Sequence, residues 1–500
     1  MPITKIYFNA KIQTNMKYAK NYSWDLTPLC KNDNEIYLLK DMQKTQKAAD
    51  KFVNKWLDRD DYLKNPEILK NALEEYKNWT GNFGPGGNSW YYFHLKSQQD
   101  LNDPKIKAEF NIVSDFSTKI QNSMQFFTLR IAKIDPGLQK KFLNYESLGQ
   151  YKHFLEILFE NAKHLLTEPE EKIMNLKDKT SYENWIRMTS GFISKEERDV
   201  FDEKGQKTSK NFSEILGLID NKNKKVRDAA AKALNDIFEK NMEVAENELN
   251  SILENKKIND ELRSFARPDK ARHVADDIES EVVDSLVKSV TTKFSVAQKY
   301  YQLKAKLLKI PRLSYHERNI EYGNIDKKFK YDDCVKLLQK ALSSLDNGFE
   351  EILMTFVKNK QIDVFPKKGK YSGAFAIHNL ITQPAFVLLN WNNRLDDLKT
   401  LAHEFGHAIN FEMMRKKQNA LNFETPVSVT EVASTFFEDF VLAEIEKEAD
   451  EEFKLALMVK RLNDMVSSIF RQVAFYNFES ELHKTFCKKG YLSKEEIGKI

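Results

Sequence analysis

The residues of this 500-residue chain with the clearest capacity for chemistry lie in one short string, His403-Glu404-Phe405-Gly406-His407. Apolar residues continue at helical spacing on both sides of the string, which predicts that it lies within a helix. Residues four apart share one face of a helix, so the imidazoles of His403 and His407 are predicted to bind one zinc ion. Glu404 lies about 100° around the helix from His403. It is therefore predicted to take a proton from a water molecule on the metal rather than to bind the metal.

A catalytic zinc site needs a third protein ligand and an open fourth position. The predicted third ligand is Glu431, which lies 24 residues after His407. It belongs to a stretch of small, β-branched and aromatic residues, where an acid without a partner would be costly. Within that stretch, Ala433 and Ser434 are small enough to let a second helix pack closely against the first.

Glu438 lies seven residues after Glu431 and shares nearly the same helix face. One interpretation is that Glu438 orients a zinc-bound histidine. The other is a helix-surface acid that pairs with a lysine or a backbone N–H, and the sequence favours neither. Most other histidines stand singly, without a ligand at metal spacing, and are predicted to bind no metal: His94, His153, His164, His273 and His316.

Helical periodicity dominates the rest of the chain. Glycine and proline together make up about 6% of the residues, against about 12% in average chains, which excludes a β-sandwich or barrel with its many turns. Two short apolar stretches, 374–377 and 385–389, predict the strands of one small sheet. We therefore expect an all-α, mainly helical fold. Apolar residues spaced in threes and fours predict helices over residues 35–63, 102–134, 225–256 and 279–308.

A polar stretch at residues 202–211 is the predicted domain boundary. It divides the chain into an N-terminal helical lobe, residues 1–201, and a catalytic domain, residues 202–500.

Composition and charge exclude several classes of protein. The 78 basic and 74 acidic side chains give a net charge of +4, which is too small a surplus to indicate a nucleic-acid partner. Cys30, Cys334 and Cys487 lie far apart, which excludes a disulfide framework and a cysteine-rich metal site. No apolar run is long enough for a membrane span, and residues 1–20 contain no apolar signal segment. We expect a monomeric, cytoplasmic protein with no membrane partner.

Residues 400–408, followed by residues 431–436, resemble the zinc signature of the oligoendopeptidase F group, which belongs to the thimet oligopeptidase family of zinc metallopeptidases. Weaker matches to the same group extend over nearly the whole chain. They are Trp24-Asp25-Leu26, Thr180-Ser181-Tyr182, Gly373-Ala374-Phe375, Leu388-Leu389-Asn390 and Phe470-Arg471-Gln472.

This resemblance implies a clamshell-like helical fold, with two lobes around a deep channel and a small β-sheet near the active site. It implies one zinc ion per chain and the hydrolysis of internal bonds in short, unstructured peptides, with Glu404 as the general base. It also implies that Gly373, Ala374 and Asn390 lie beside the substrate cleft. Asn390, on an edge strand, would offer backbone groups to an extended peptide.

The resemblance leaves two alternatives open. One is an exopeptidase of the dipeptidyl carboxypeptidase type on the same scaffold, and the other is a catalytically impaired peptide-binding protein that keeps zinc for structure. Members of the group continue into a segment rich in His and Tyr that stabilises the oxyanion, and residues 408–500 contain no match to it. We therefore expect a chain that is incomplete at its C-terminus and slow in catalysis.

Overall fold

The computed structural model describes residues 22–31, 35–193, 195–201, 205–323, 328–367, 369–424 and 426–500. These residues are mainly helical, as predicted, and no helix among them is long and apolar enough to cross a membrane. Residues 1–20, where no signal segment was predicted, and residues 202–204 of the predicted boundary lie outside this part of the chain. The α-helices are α1 (Glu35–Trp56), α2 (Pro66–Asn82), α3 (Gly87–Gln99), α4 (Pro104–Ala132), α5 (Pro136–Leu143), α6 (Lys152–Asn161), α7 (Glu168–Asp178), α8 (Asn184–Ile193), α9 (Phe212–Gly217), α10 (Lys224–Lys240), α11 (Met242–Leu262), α12 (Lys270–Ala275), α13 (Ser280–Thr291), α14 (Phe294–Leu307), α15 (Tyr331–Ser343), α16 (Asn347–Lys358), α17 (Leu395–Lys417), α18 (Val427–Glu446), α19 (Glu451–Val466), α20 (Gln472–Lys489) and α21 (Lys494–Ile497).

Two of the predicted helices are each divided in two. The helix predicted over residues 225–256 is α10 followed by α11, with a break at Asn241. The Asn241 side chain donates a hydrogen bond to the Ile237 carbonyl at 2.9 Å and so occupies the end of α10. The helix predicted over residues 279–308 is likewise α13 followed by α14. Apolar periodicity continues across such short breaks, so the sequence pattern does not indicate where one helix ends and the next begins.

The described residues form two small β-sheets, of which the sequence predicted one. Strands β3 (Ile362–Asp363), β4 (Phe375–Ile377) and β5 (Phe386–Leu388) form the predicted sheet in the order β3-β5-β4, with β3 parallel and β4 antiparallel to β5. The second sheet is an antiparallel hairpin of β1 (Glu197–Phe201) and β2 (Lys207–Asn211). The prediction of a single sheet is therefore wrong. Only Val200 is buried in this hairpin, and strands that are polar on both faces resemble a linker in sequence.

Separate apolar cores support the two halves of the chain. Helices α1, α2, α4 and α6 enclose an aromatic-rich core, whereas α15 to α18 pack around the three-stranded sheet. The start of the described chain joins the second half, because the Trp24 indole donates hydrogen bonds to the Val387 carbonyl at 2.8 Å and the Gln361 carbonyl at 3.1 Å. The contacts of Trp24 thus connect the two sides of the boundary predicted at residue 201, and that boundary stays a prediction.

Helices α17 and α18 approach each other unusually closely at Gly406. A Cβ atom at this position would lie 2.5 Å from the Ser434 Cα atom and 2.7 Å from the Ala433 carbonyl oxygen. Real Cβ atoms do not come so near to backbone atoms, so the contact requires glycine on α17. The small residues predicted to permit close packing, Ala433 and Ser434, lie at this crossing.

A buried ion pair joins the three-stranded sheet to the loop that precedes β4. Lys370 is fully buried, and its ammonium group lies 2.6 Å from an Asp363 carboxylate oxygen. It also donates hydrogen bonds to the carbonyls of Phe365 at 2.8 Å and Leu389 at 2.6 Å. The other carboxylate oxygen of Asp363 accepts a hydrogen bond from Gln99 of α3 at 2.7 Å. Burial lowers the pKa of Lys370, as expected for an ammonium removed from water.

Lys370→Met is expected to destabilise the protein by about 3–5 kcal/mol, because it leaves the Asp363 carboxylate buried without its cation. Thermal unfolding of Lys370→Met should be compared with that of Lys367→Met, which removes an exposed lysine from the same loop. A double variant with Asp363→Leu should recover part of the loss, since both charges are then absent. Equal melting temperatures for the two single variants would contradict the role of the pair.

Candidate active site

Helix α17 carries the predicted zinc-binding string, and Asp397 in its first turn fixes the start of the helix. Asp397 accepts hydrogen bonds from the backbone N–H groups of Arg394 at 2.9 Å and Asn392 at 2.6 Å, which caps the first turn. The face that carries Phe405 and Ile409 is buried in the core of the second half. This packing fixes the rotation of α17, so that His403 and His407 face α18.

Three donor atoms from α17 and α18 converge on one point. Nε2 of His403 lies 3.3 Å from Oε2 of Glu431, and Nε2 of His407 lies 3.7 Å from the same oxygen. One ligand atom from each of the three residues lies within 4.8 Å of the other two. Two atoms bound about 2.0 Å from one tetrahedral zinc ion are about 3.3 Å apart, so the spacing fits a His-His-Glu donor set.

The hydrogen bond between His403 and Glu438 favours a cation between Nε2 of His403 and Oε2 of Glu431. Its Nδ1 atom lies 2.5 Å from Oε1 of Glu438. A carboxylate only accepts hydrogen bonds, so Nδ1 carries the proton of this bond, and when the ring is neutral its Nε2 atom presents a lone pair to Glu431. Two acceptors facing each other at 3.3 Å repel unless a proton or a metal ion lies between them. The donor set therefore fits zinc.

Glu431 is oriented by its own helix. The Ser434 hydroxyl donates a hydrogen bond to Oε2 of Glu431 at 2.7 Å, and Ser434 is itself fully buried at the crossing with α17. The Glu431 side chain is nevertheless 55% exposed, whereas that of His407 is only 9% exposed. The site is thus open to solvent on the α18 side, where a water molecule or a peptide has access.

Glu438 makes both kinds of contact that the sequence left open. One of its oxygens accepts the hydrogen bond from His403, and the other lies 3.1 Å from the Lys399 ammonium group. Lys399 in turn lies 2.7 Å from an oxygen of Asp464 on α19. Burial raises the pKa of Glu438, but the bond from His403 and the charge of Lys399 outweigh it and hold this pKa below its usual range. Lys399 was not among the predicted site residues, although its position four residues before His403, on the same helix face, indicates a contact with the residues around His403.

Glu404 is buried beside the convergent atoms, with 7% of its surface exposed. Burial raises its pKa to about 7, and the carboxylates of Glu431 and Glu438 act in the same direction. His403 and a hydrogen bond from the Ala376 backbone oppose this rise. The Glu404 carboxyl group therefore lies between the three convergent donor atoms and strand β4, where it can receive and release a proton.

The two histidines have different electrostatic surroundings. Burial lowers the pKa of His403, but the bond to Glu438 and the nearby carboxylates outweigh it and raise this pKa overall. The pKa of His407 is lowered, first by burial and then by the neighbouring His403. A neutral His407 ring keeps its lone pair free for a metal ion.

The predicted cleft residues lie around the sheet but not all as expected. β4, directly after Gly373 and Ala374, is an edge strand of the three-stranded sheet and the strand nearest Glu404. Asn390 follows β5, which is the central strand, so the prediction that it lies on an edge strand is wrong. Its side chain instead donates hydrogen bonds to the carbonyls of Tyr371 at 2.9 Å and Gly373 at 2.7 Å. Asn390 thus fixes the loop before β4, and any contact with substrate stays a prediction.

One of the single histidines has acidic neighbours that the sequence did not reveal. Nε2 of His316 lies 2.9 Å from an Asp228 oxygen, with Glu317 nearby. Glu317 is already bound by Arg227 at 2.7 Å and by Lys224 at 3.0 Å. Two cations occupy this cluster, so it is an ion-pair network rather than a second metal site.

Comparisons with known sequences agree with the resemblance seen in the motifs. A family model described as Oligopeptidase F matches residues 130–191, and one described as Peptidase family M3 matches residues 218–499. An oligoendopeptidase F homolog from Lactococcus lactis subsp. lactis is 26% identical over 488 residues, which cover 96% of this chain and 79% of the relative. The group B oligopeptidase PepB of Streptococcus agalactiae is 24% identical over 490 residues, with the same coverage of 96% and 79%.

Solved structures share the fold. The crystal structure of oligoendopeptidase-F from Enterococcus faecium superposes with a TM-score of 0.61 at 17% identity, covering 91% of this chain and 75% of that one. The likeness confirms the predicted helical fold with a small sheet beside the site. The family match spans more than half of the chain, from α10 to its last residues, and contains every residue of the convergent cluster. This chain therefore belongs to peptidase family M3.

Proposed function

We propose that this protein is a zinc-dependent endopeptidase that hydrolyses internal bonds of short, unstructured peptides. His403, His407 and Glu431 would hold one zinc ion per chain, and Glu404 would act as the general base. The observation that carries the proposal is the convergence of three donor atoms within 4.8 Å, with the buried Glu404 carboxyl beside them. Relatives described as oligoendopeptidase F support the peptide substrate.

The chain's own residues supply the proton transfers. Zinc, when bound at such a site, acts as a Lewis acid and lowers the pKa of water toward about 7. Glu404 accepts the proton that the attacking water loses and delivers it to the leaving amine. Glu438 keeps the proton of His403 on Nδ1, so that Nε2 stays free for the metal. Lys399 stabilises the charge of Glu438 and so maintains this arrangement.

Strand β4 is the proposed backbone guide for the substrate. An extended peptide can add to an edge strand through main-chain hydrogen bonds, which hold it without reading its sequence. Gly373 and Ala374 lie at the start of this strand and would border the bound peptide. This mode suits cleavage at internal bonds, whereas an exopeptidase also needs a cation for the terminal carboxylate. Cleavage of a peptide blocked at both ends separates the two activities.

Purified protein is expected to contain close to one zinc ion per chain by elemental analysis. His403→Ala and Glu431→Ala should each lower this occupancy sharply, because two remaining donors hold zinc far more weakly than three. His483→Ala, a matched change outside the cluster, should keep full zinc. Full occupancy in both site variants would refute the ligand assignment.

Glu404→Gln should separate the base from the ligands. The amide has nearly the shape of the carboxylate, so zinc content is expected to stay unchanged, while peptide hydrolysis falls by about 10²–10⁴-fold because an amide does not accept the proton. The assay is turnover of a fluorogenic peptide blocked at both ends. Glu412→Gln on the same helix is the control for loss of a carboxylate. A Glu404→Gln protein with normal turnover would remove Glu404 from the mechanism.

Gly406→Ala is expected to weaken zinc binding roughly tenfold, because overpacking of this kind costs about 1–3 kcal/mol and moves α18 away from α17. Zinc affinity can be measured by competition with a chelator. Gly191→Ala is the matched control, since a Cβ atom at Gly191 meets nothing within 4 Å. An unchanged affinity in Gly406→Ala would show that the helix contact does not govern the site.

A further inference from the structure

A cavity of about 760 Å³ opens beside the candidate metal site. Its lining includes Asn410 of α17, three residues after His407, and Val427 of α18, four residues before Glu431. Residues three or four apart on a helix are separated by about one turn, or about 5.4 Å. The cavity therefore begins about one turn from the convergent donor atoms, on the side toward the C-terminal end of α17.

The opposite wall of the cavity comes from α6 of the N-terminal helices and from α12 with the turn after it. Two hydrogen bonds fix the walls relative to α17 and α18. The Ser428 hydroxyl of α18 donates to the Asp276 carbonyl at 3.1 Å, and the Asn419 side chain donates to the Gln150 carbonyl at 3.0 Å. The apolar part of the lining is Phe154, Ile157, Val274, Met414 and Leu421.

The charged side chains of the cavity carry an excess of negative charge, because the lining has three carboxylates, Asp276, Asp277 and Glu424, and one arginine, Arg272. Arg272 is bound to Asp276 through two of its nitrogens, so that charge pair is satisfied internally. The nearest Asp277 oxygen lies 3.6 Å from the His153 ring, beyond hydrogen-bond distance. Glu424 is exposed at the cavity and forms no ion pair with another described residue. The cavity thus combines an apolar wall with an excess of negative charge.

We infer that this cavity is a substrate subsite that takes an arginine or lysine side chain of the bound peptide. The inference rests on the proposed peptidase function. The apolar wall suits the aliphatic stem of such a side chain, and the carboxylates of Asp277 and Glu424 supply acceptors for its cationic head. An extended peptide advances about 3.3 Å per residue, so a side chain one to two helical turns from the metal belongs to the second or third residue from the cleaved bond.

The test compares peptides that differ only in arginine or glutamine at one position, scanned over three residues on each side of the cleaved bond. All peptides are acetylated, so that a free N-terminal ammonium group is not the source of any preference. Cleavage by the zinc-loaded protein gives kcat/KM, and fluorescence anisotropy with zinc-loaded Glu404→Gln gives affinity without cleavage. The variants are Glu424→Gln, Asp277→Asn and their combination. Glu452→Gln, an exposed acid on α19, is the control.

Arginine is expected to be favoured about 10-fold over glutamine at the second or third residue on one side of the cleaved bond. The double variant should reduce this ratio to near one, and Glu452→Gln should keep it. Glu424→Gln alone changes an exposed loop side chain, so its effect is independent of folding. A ratio near one in the unmodified protein, or an unchanged ratio in the variants, overturns the subsite while the peptidase function stands. Preferential binding of the arginine peptides without any cleavage overturns the proposed function and supports the subsite.

Discussion

The close contact between α17 and α18 is the constraint on which the candidate site depends. Neither helix alone carries the complete set of proposed metal ligands, because α17 supplies two imidazoles and α18 supplies the carboxylate. A Cβ atom at residue 406 would lie 2.5 Å from the Ser434 Cα atom of α18, so the helices would have to separate. The distances of 3.3 Å and 3.7 Å from the histidines to Glu431 exist only at this separation. At the proposed site, metal affinity would therefore depend on helix packing as much as on ligand identity.

Several charged side chains lie partly buried beside this contact and form a chain of ion pairs. Glu438 is stabilised by Lys399, and Lys399 is shared with Asp464 on α19. Such a chain contributes little net stability, because desolvation offsets most of the attraction between the charges. Its effect is on geometry, since it keeps a proton on one nitrogen of His403 and leaves the other free. The Lys370–Asp363 pair acts in the same way on the loop before β4.

Local periodicity was sufficient to predict much of this arrangement. The spacing of His403 and His407 indicates a shared helix face. The cost expected for an unpaired acid at Glu431 does not apply, because its side chain is 55% exposed. Features that depend on contacts distant in sequence were not predictable. The order of three short strands is set by hydrogen bonds between segments, so the sequence did not reveal that Asn390 follows a central strand. The β1–β2 hairpin has little apolar pattern because it is mostly exposed.

The residues proposed for the reaction are distinct from those that line the proposed subsite. The convergent donor atoms and Glu404 all belong to α17 and α18, whose contact is fixed by backbone atoms. About half of the residues that line the neighbouring cavity lie on α17, α18 and the loop between them, and the others lie on α6, on α12 and in the turn after α12. Substitutions on α6 and α12 would change the proposed subsite without replacing a residue of the convergent cluster. A change in the relative position of the N-terminal helices and α17 would alter the cavity before it altered the metal site. On the proposed function, selectivity among peptides would depend on how the two halves of the chain meet, and the reaction would depend on how α17 and α18 cross.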